Sequence, residues 1–255
     1  MNRYGLIGYP LTHSFSKKYF ADKFEREGIT DARYDLYEMA DVATHLPDLL
    51  QTPGLRGLNV TIPHKQAVLP FLNRLDSSAQ KVGAVNVIRV EADGSLTGYN
   101  SDYYGFRQSL EEWVRGQHPG VQSLAEFFSG ALVLGTGGAS KAVVAALSDL
   151  GIRYKLVSRT AAPGGLTYSE LPGQLAHFPL IINCSPVGTY PNVAQAPDLP
   201  YAELTAHHWL YDLVYNPAET VFMRQALDRG AQALNGYRML VLQAEKAWSI
   251  WNETV

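Results

Sequence analysis

The sequence predicts an α/β protein whose second half is a parallel sheet covered by helices. Three observations carry this. Short apolar runs of strand length alternate with stretches of helical periodicity. In the second half, one such run feeds directly into a glycine-rich turn and then a helix, over residues 131–150. The composition is 46% hydrophobic and 18% charged, which supplies packed cores and is too lightly charged for a disordered chain. At 255 residues there is room for one large domain or two smaller ones.

The elements follow in order. Residues 4–8 form a short apolar strand ending in Gly-Tyr-Pro, and residues 15–27 have helical spacing that stops at Gly28. Residues 34–39 read as a second strand, 42–50 as a helix and 57–61 as a third strand. Pro63 then opens a helix, at a position where its missing N–H costs nothing. Residues 85–90 and 95–99 flank Ala92-Asp93-Gly94, a hairpin signal because Asp-Gly tolerates positive φ. A helix follows over about 103–115, then a Gln-His-Pro-Gly loop over 116–120. Residues 131–134 are a buried strand feeding the glycines, 142–150 a helix, and 154–157, 180–182 and 209–213 further buried strands. Residues 161–165 read as a flexible interruption. The closing helix, about 238–251, places Leu240, Ala244, Ala247 and Trp251 on one packing face.

Composition narrows the partners. A formal net charge of −3 gives no reason to expect nucleic acid or an anionic membrane. No apolar stretch reaches the roughly 18 residues of a membrane helix, and the first residues lack a signal-peptide pattern. Cys184 is the lone cysteine, so no intramolecular disulfide can form, and a reducing cytoplasm is the expected setting.

Two regions carry chemistry. The first is the turn Gly135-Thr136-Gly137-Gly138-Ala139-Ser140 between a buried strand and a helix. Glycines let backbone approach a pyrophosphate, and the helix N-terminus offers unpaired N–H groups to it. Ser140 stands where a third glycine or alanine is usual, and such a turn can also be merely tight. A ribose selector belongs about 20 residues later, and there the next strand ends in Ser158-Arg159-Thr160. An acidic residue there would suit a free 2′-hydroxyl. The Arg159 guanidinium suits a 2′-phosphate, which favours NADP.

The second region lies in the first half. Ser14 and Ser16 sit at a loop-to-helix junction, where hydroxyls can hold a carboxylate or cap the helix. Asn59, Thr61 and Lys65 follow a buried strand, and a lysine in a first helical turn is not placed for the helix dipole. Asn86 can make a turn, and Asp102 can cap the helix beginning near Tyr103.

Together these segments resemble the shikimate dehydrogenase family from end to end. Ser14-Phe15-Ser16 resembles its S-x-S carboxylate motif, and Asn59-Val60-Thr61-Ile62-Pro63-His64-Lys65 the motif that carries its catalytic lysine. Gly83-Ala84-Val85-Asn86 resembles G-A-V-N, and Asn100-Ser101-Asp102 resembles N-T-D, which carries the catalytic aspartate. Gly135 to Ser140 resembles G-A-G-G-A-S, and Ser158-Arg159-Thr160 resembles N-R-T. Asn183-Cys184-Ser185-Pro186, Tyr211-Asp212-Leu213-Val214-Tyr215 and Gly236 through Ala244 match further family motifs.

The resemblance implies a discontinuous α/β substrate domain, residues 1–103 and 237–255, with the C-terminal helix returning to it. Residues 104–236 would form a Rossmann-like, doubly wound NADP-binding domain. It implies that Ser14, Ser16 and Tyr215 meet the substrate carboxylate and that Asn59, Thr61, Asn86 and Gln243 surround its ring with Lys65 and Asp102. Gly135, Thr136, Gly137, Gly138, Ala139, Ser158, Arg159, Thr160, Leu213 and Gly236 would line the NADP site. No metal is implied, and a monomer or a homodimer is expected. The implied reaction is reversible reduction of 3-dehydroshikimate to shikimate, with Lys65 passing a proton to or from the C3 oxygen and Asp102 orienting the ammonium.

The chain departs from the family pattern in places. Tyr103-Tyr104-Gly105 follows Asp102 where many relatives have glycine at once. Val87 replaces a frequent threonine, and Ser158 the usual asparagine. After Thr160 comes Ala-Ala-Pro-Gly-Gly, so a second basic residue near the 2′-phosphate is missing and Arg159 carries the preference. A quinate-oxidising paralogue and a non-catalytic ligand sensor are the alternatives. A folate-linked dehydrogenase of similar architecture is opposed by the serine motif.

Overall fold

The computed structural model describes residues 1–11, 14–160 and 163–253. The chain divides into two compact units, Met1–Tyr104 with Leu242–Val255, and Gly105–Val241.

The first unit opens with β1 (Asn2–Gly8), α1 (Phe15–Glu27), β2 (Ala32–Glu38), α2 (Val42–Leu50) and β3 (Leu55–Val60). Ser14 caps α1 and Asp41 caps α2, each accepting a hydrogen bond from a first-turn N–H. Then come β4 (Arg74–Leu75), α3 (Ser77–Val82), β5 (Val87–Val90), β6 (Leu96–Tyr99) and the start of α4 (Ser101–Gln117). The sheet order is β2-β1-β3-β5-β6-β4. β1 runs parallel to β2 and β3, while β3–β5 and β5–β6 are antiparallel.

Neighbouring residues on one strand enter opposite cores, because side chains alternate across a sheet. Ile7 and Ile88 join Leu46, Leu58 and Val60 on one side, whereas Leu6 and Val87 join Phe20, Phe24, Tyr34 and Trp251 on the other. Trp251 Nε1–H donates to the Ile88 carbonyl at 3.0 Å, which satisfies the buried indole.

The second unit continues through α4 into α5 (Leu124–Phe127), β7 (Ala131–Leu134), α6 (Gly138–Asp149), β8 (Tyr154–Ser158) and β9 (Leu166–Thr167). It goes on through β10 (Leu180–Asn183), β11 (Trp209–Asp212), α7 (Val221–Leu227), β12 (Gln232–Asn235) and the first turn of α8 (Tyr237–Asn252). All its pairings are parallel, in the order β12-β11-β10-β7-β8-β9. Counted within this sheet the strands stand sixth, fifth, fourth, first, second, third, the doubly wound dinucleotide arrangement. β7, β10 and β11 are buried along their whole length, as strands covered on both faces must be. The Gln-His-Pro-Gly loop is packed: the His118 ring lies 5.2 Å from Phe127 and 5.7 Å from Trp209.

Three expectations need correction. No helix opens at Pro63. Residues 62–68 are turns, followed by a 3-10 helix at Leu69–Phe71. The Lys65 carbonyl, which a helix would bond to Leu69 N–H, accepts from Val85 N–H instead, and Leu69 N–H goes to the Gln66 carbonyl. The helix after β6 starts at Ser101, before Tyr103, and α6 starts inside the glycine turn. The interruption expected over 161–165 falls partly on residues 161–162, outside the described ones. Among the described residues no helix is long and apolar enough to cross a membrane, and no group of His, Cys, Asp and Glu is placed to hold a metal.

Candidate active site

The first site gathers where β1 and β3 end. Thr61 N–H donates to the Ile7 carbonyl at 2.9 Å and Tyr9 N–H to the Ile62 carbonyl at 3.0 Å, so the two exits are laced together. The turns that follow bury His64, whose Nε2 lies 2.6 Å from the Met39 carbonyl. Its neighbour Lys65 points elsewhere, and its carbonyl accepts from Val85 N–H at 2.8 Å. The Lys65 ammonium donates to Asp102 Oδ2 at 2.6 Å. The pair is largely shielded, with 20% of the lysine side chain and 8% of the aspartate side chain exposed.

Asp102 is free for this contact because another residue caps α4. Asn100 Oδ1 accepts from Tyr103 N–H at 3.1 Å, and its Nδ2 donates to the Ala84 carbonyl at 2.9 Å. Asp102 thus lies in the first turn of α4, where a carboxylate is favoured by the helix dipole.

A polar frame surrounds the pair. Ser101 N–H donates to Asn86 Oδ1 at 2.6 Å, and Asn86 Nδ2 donates back to Ser101 Oγ at 3.1 Å. The Asn86 carbonyl accepts from Val60 N–H at 2.8 Å and from Asn59 Nδ2 at 3.4 Å. Asn59 Oδ1 in turn accepts from the Tyr34 hydroxyl at 2.8 Å. Burial pushes the Tyr34 phenol upward, so it stays a neutral donor. Ser14 caps α1 through Lys17 N–H at 3.3 Å, and Ser16 is the second residue of the helix. Thr61 and Gln243 are half-buried residues of this same unit, on the exit of β3 and on α8. Tyr34 carries no sequence signal beyond a strand aromatic.

In the second unit, the carboxyl ends of β7, β8 and β10 stand side by side, Leu134 opposite both Val157 and Asn183. This is the switch point of the sheet, where a ligand crevice opens. A cavity of about 690 Å³ lies there, lined by Gly135, Thr136, Gly137, Ser158 and Arg159 together with Cys184 and Ser185. Gly135 has φ 102°, and a Cβ on it would lie 3.3 Å from Ser185 N, so this position needs glycine. Gly137 caps α6 with no side-chain bond, which leaves the helix N–H groups open toward an anion. The departure at Ser140 is explained: its hydroxyl donates to the Gly137 carbonyl at 2.6 Å and braces the turn.

Arg159 shares the cavity wall with Thr167, Tyr168, Ser169 and Asp198. The sequence carries no sign of the first three, since two-residue β9 is recognisable only by its pairing with β8, Ser158 opposite Thr167. Gly138, Ala139, Thr160, Leu213 and Gly236 are not among the lining residues. Gly138 and Ala139 begin α6. Leu213 and Gly236 meet each other, and a Cβ on Gly236 would lie 2.2 Å from the Leu213 carbonyl oxygen. Tyr215 follows β11 in this unit and is 37% exposed.

Comparison with known proteins identifies the family. A family profile described as the shikimate dehydrogenase substrate binding domain matches residues 6–88. The shikimate dehydrogenase (NADP(+)) of Geobacillus kaustophilus is 36% identical over 97% of this chain and 91% of its own length. A crystal structure of the Thermus thermophilus shikimate 5-dehydrogenase with NADP(H) and shikimate superposes with a TM-score of 0.81 at 28% identity, covering 100% of this chain and 95% of that one. The Corynebacterium glutamicum quinate dehydrogenase in complex with NAD does so with a TM-score of 0.83 at 26% identity, covering 98% and 93%. With relatives this similar over almost the whole length of both chains, the chain belongs to the shikimate dehydrogenase family.

Proposed function

We propose that this protein catalyses the reversible, NADPH-dependent reduction of 3-dehydroshikimate to shikimate, on the route to chorismate and the aromatic amino acids. The observation that carries the reading is the shielded Lys65–Asp102 pair at 2.6 Å, framed by Asn59, Asn86 and Ser101. Residues 1–103 and 237–255 form the substrate domain and 104–236 the nucleotide domain.

The residues present fit NADP. The uncapped N-terminus of α6 and the open space at Gly137 and Gly138 suit a pyrophosphate, and Arg159 suits the 2′-phosphate. When bound, NADPH supplies the hydride that forms the new C–H bond at C3. Lys65 donates the proton that completes the O–H bond, and takes it back in the reverse direction. Asp102 holds the ammonium in place and stabilises charge as the proton moves. Ser14, Ser16 and Tyr215 receive the substrate carboxylate. Asn59, Thr61, Asn86 and Gln243 bond the ring hydroxyls, so that C3 is presented to Lys65.

A second reading, quinate oxidation with NAD, draws on the likeness to a quinate dehydrogenase and on the missing second basic residue after Thr160. Steady-state rates with shikimate and quinate, each with NADP and NAD, separate the two. The highest kcat/KM is expected for shikimate with NADP. A maximum for quinate with NAD overturns the proposal.

A further inference from the structure

Asp212 ends β11 and is fully buried. Its Oδ1 accepts from Asn183 Nδ2 at 2.9 Å and from Val214 N–H at 3.0 Å, and its Oδ2 accepts from the Thr220 hydroxyl at 2.6 Å. All three partners are neutral. Burial pushes the carboxyl up to about 6 in spite of these bonds. A buried carboxylate among neutral partners is costly, and an amide of the same shape would be less so. Stability alone does not account for this residue.

Its partners indicate a role. Asn183 ends β10, directly opposite Asp212 in the sheet register. Asn183 Oδ1 accepts from Ser185 N–H at 3.0 Å and from the Ser185 hydroxyl at 2.6 Å, and its Nδ2 also reaches the Val187 carbonyl at 3.3 Å. Residues 184–187 line the nucleotide cavity, which Asp212 itself does not touch. Val214, on the other arm, accepts from Gly236 N–H at 3.2 Å through its carbonyl. The carboxylate therefore joins the two segments that leave adjacent strands at the switch point.

We infer that Asp212 is a positioning residue that acts through Asn183 and Val214 to hold the 184–187 and 213–214 segments in the shape that receives the cofactor. This rests on the NADP reading above. The side chain bonds both segments at once, and this geometry, which an amide of the same shape reproduces, fixes them in one arrangement.

The test compares wild type, Asp212→Ala, Asp212→Asn and Asn183→Ala, varying NADPH and 3-dehydroshikimate in turn. Asp212→Ala is expected to raise KM for NADPH at least about tenfold while KM for 3-dehydroshikimate stays within about threefold. Asp212→Asn restores KM for NADPH to within about threefold, because its Oδ1 keeps two bonds and its amide N–H meets the Thr220 oxygen. Asn183→Ala leaves Asp212 bonded to Val214 and Thr220, yet raises KM for NADPH in the same way, and it serves if Asp212→Ala does not fold. Unchanged KM for NADPH in Asn183→Ala, equal rises in both KM values, or no rescue by Asp212→Asn overturns the inference. A wild type without NADPH oxidation overturns the functional reading instead. Fluorescence titration with NADPH then reports the same contrast among the variants without turnover.

Discussion

Gly236→Ala places a methyl group against immovable backbone. The added Cβ would lie 2.2 Å from the Leu213 carbonyl oxygen, 2.7 Å from its carbon and 3.1 Å from its Cα. Reaching an ordinary contact requires the two segments to part by about 1 Å, since dispersion contacts become favourable only near 3.5 Å. Side-chain rotation cannot relieve this, because every clashing atom belongs to the main chain. Gly236 N–H is bonded to Val214, and Leu213 N–H to the Asn183 carbonyl at 3.0 Å, so the displacement travels to the end of β10. A shift of about 1 Å in a binding wall costs on the order of 10²-fold in kcat/KM, or about 2.7 kcal/mol. The assay is kcat/KM for NADPH at saturating 3-dehydroshikimate, with thermal melting alongside. Overpacking of this kind should also cost about 1–3 kcal/mol of stability. If the variant keeps kcat/KM within twofold and melts like wild type, the close approach does not dictate the glycine.

Other outcomes follow from the same coordinates. Arg159→Ala removes the guanidinium from the nucleotide cavity, and kcat/KM should fall about 10–100-fold with NADP and little with NAD, which paired cofactor titrations measure. Tyr34→Phe removes the hydroxyl that bonds Asn59 and keeps the buried ring. KM for 3-dehydroshikimate should rise about fivefold, matching about 1 kcal/mol per hydrogen bond, with KM for NADPH unchanged. Asp212→Asn predicts a pH effect with a definite sign. The Asp212 carboxyl is raised from 3.8 to about 6 in the folded protein, so between those values the folded form binds more protons and wild type loses stability as pH rises. Cys184 and Tyr201, the other titratable groups that feel its charge, are pushed up by burial and stay neutral there. The stability advantage of Asp212→Asn over wild type should therefore grow from pH 4 to pH 7 by up to about 3 kcal/mol, read from urea melts. A difference that does not change with pH contradicts it.

Local rules set much of the fold. α1 and α2 begin and end where their periodicity and the flanking Ser14, Gly28 and Asp41 place them. β7, β10 and β11 were legible as apolar runs because strands buried on both faces carry no polar alternation. Where a local rule failed, a distant partner decided: Pro63 can start a helix, but the Lys65 carbonyl is taken by Val85 N–H. Two-residue β4 and β9 carry too few residues for a periodicity, and β12, with glutamine and asparagine at its ends, is no continuous apolar run; their strand state comes from pairing with a neighbour.

The candidate site was legible as motifs and not as geometry. In sequence Lys65 stood at an expected helix start and Asp102 could be a helix cap. The structure shows no regular helix at Lys65, and Asn100 does the capping of α4. Their pairing spans 37 residues and the β5–β6 hairpin, and no local rule connects such positions. Tyr34 and Thr167 were invisible for the same reason, because each acquires its place only through a partner strand.

The central claim is that Lys65, held by Asp102, moves the proton at C3. Lys65→Ala tests it most directly, through kcat for 3-dehydroshikimate reduction measured beside the dissociation constant for shikimate. Loss of a general acid should lower kcat by about 10²–10⁴-fold, with shikimate binding changed less than about threefold. A Lys65→Ala enzyme that turns over at a near-normal rate would contradict the account.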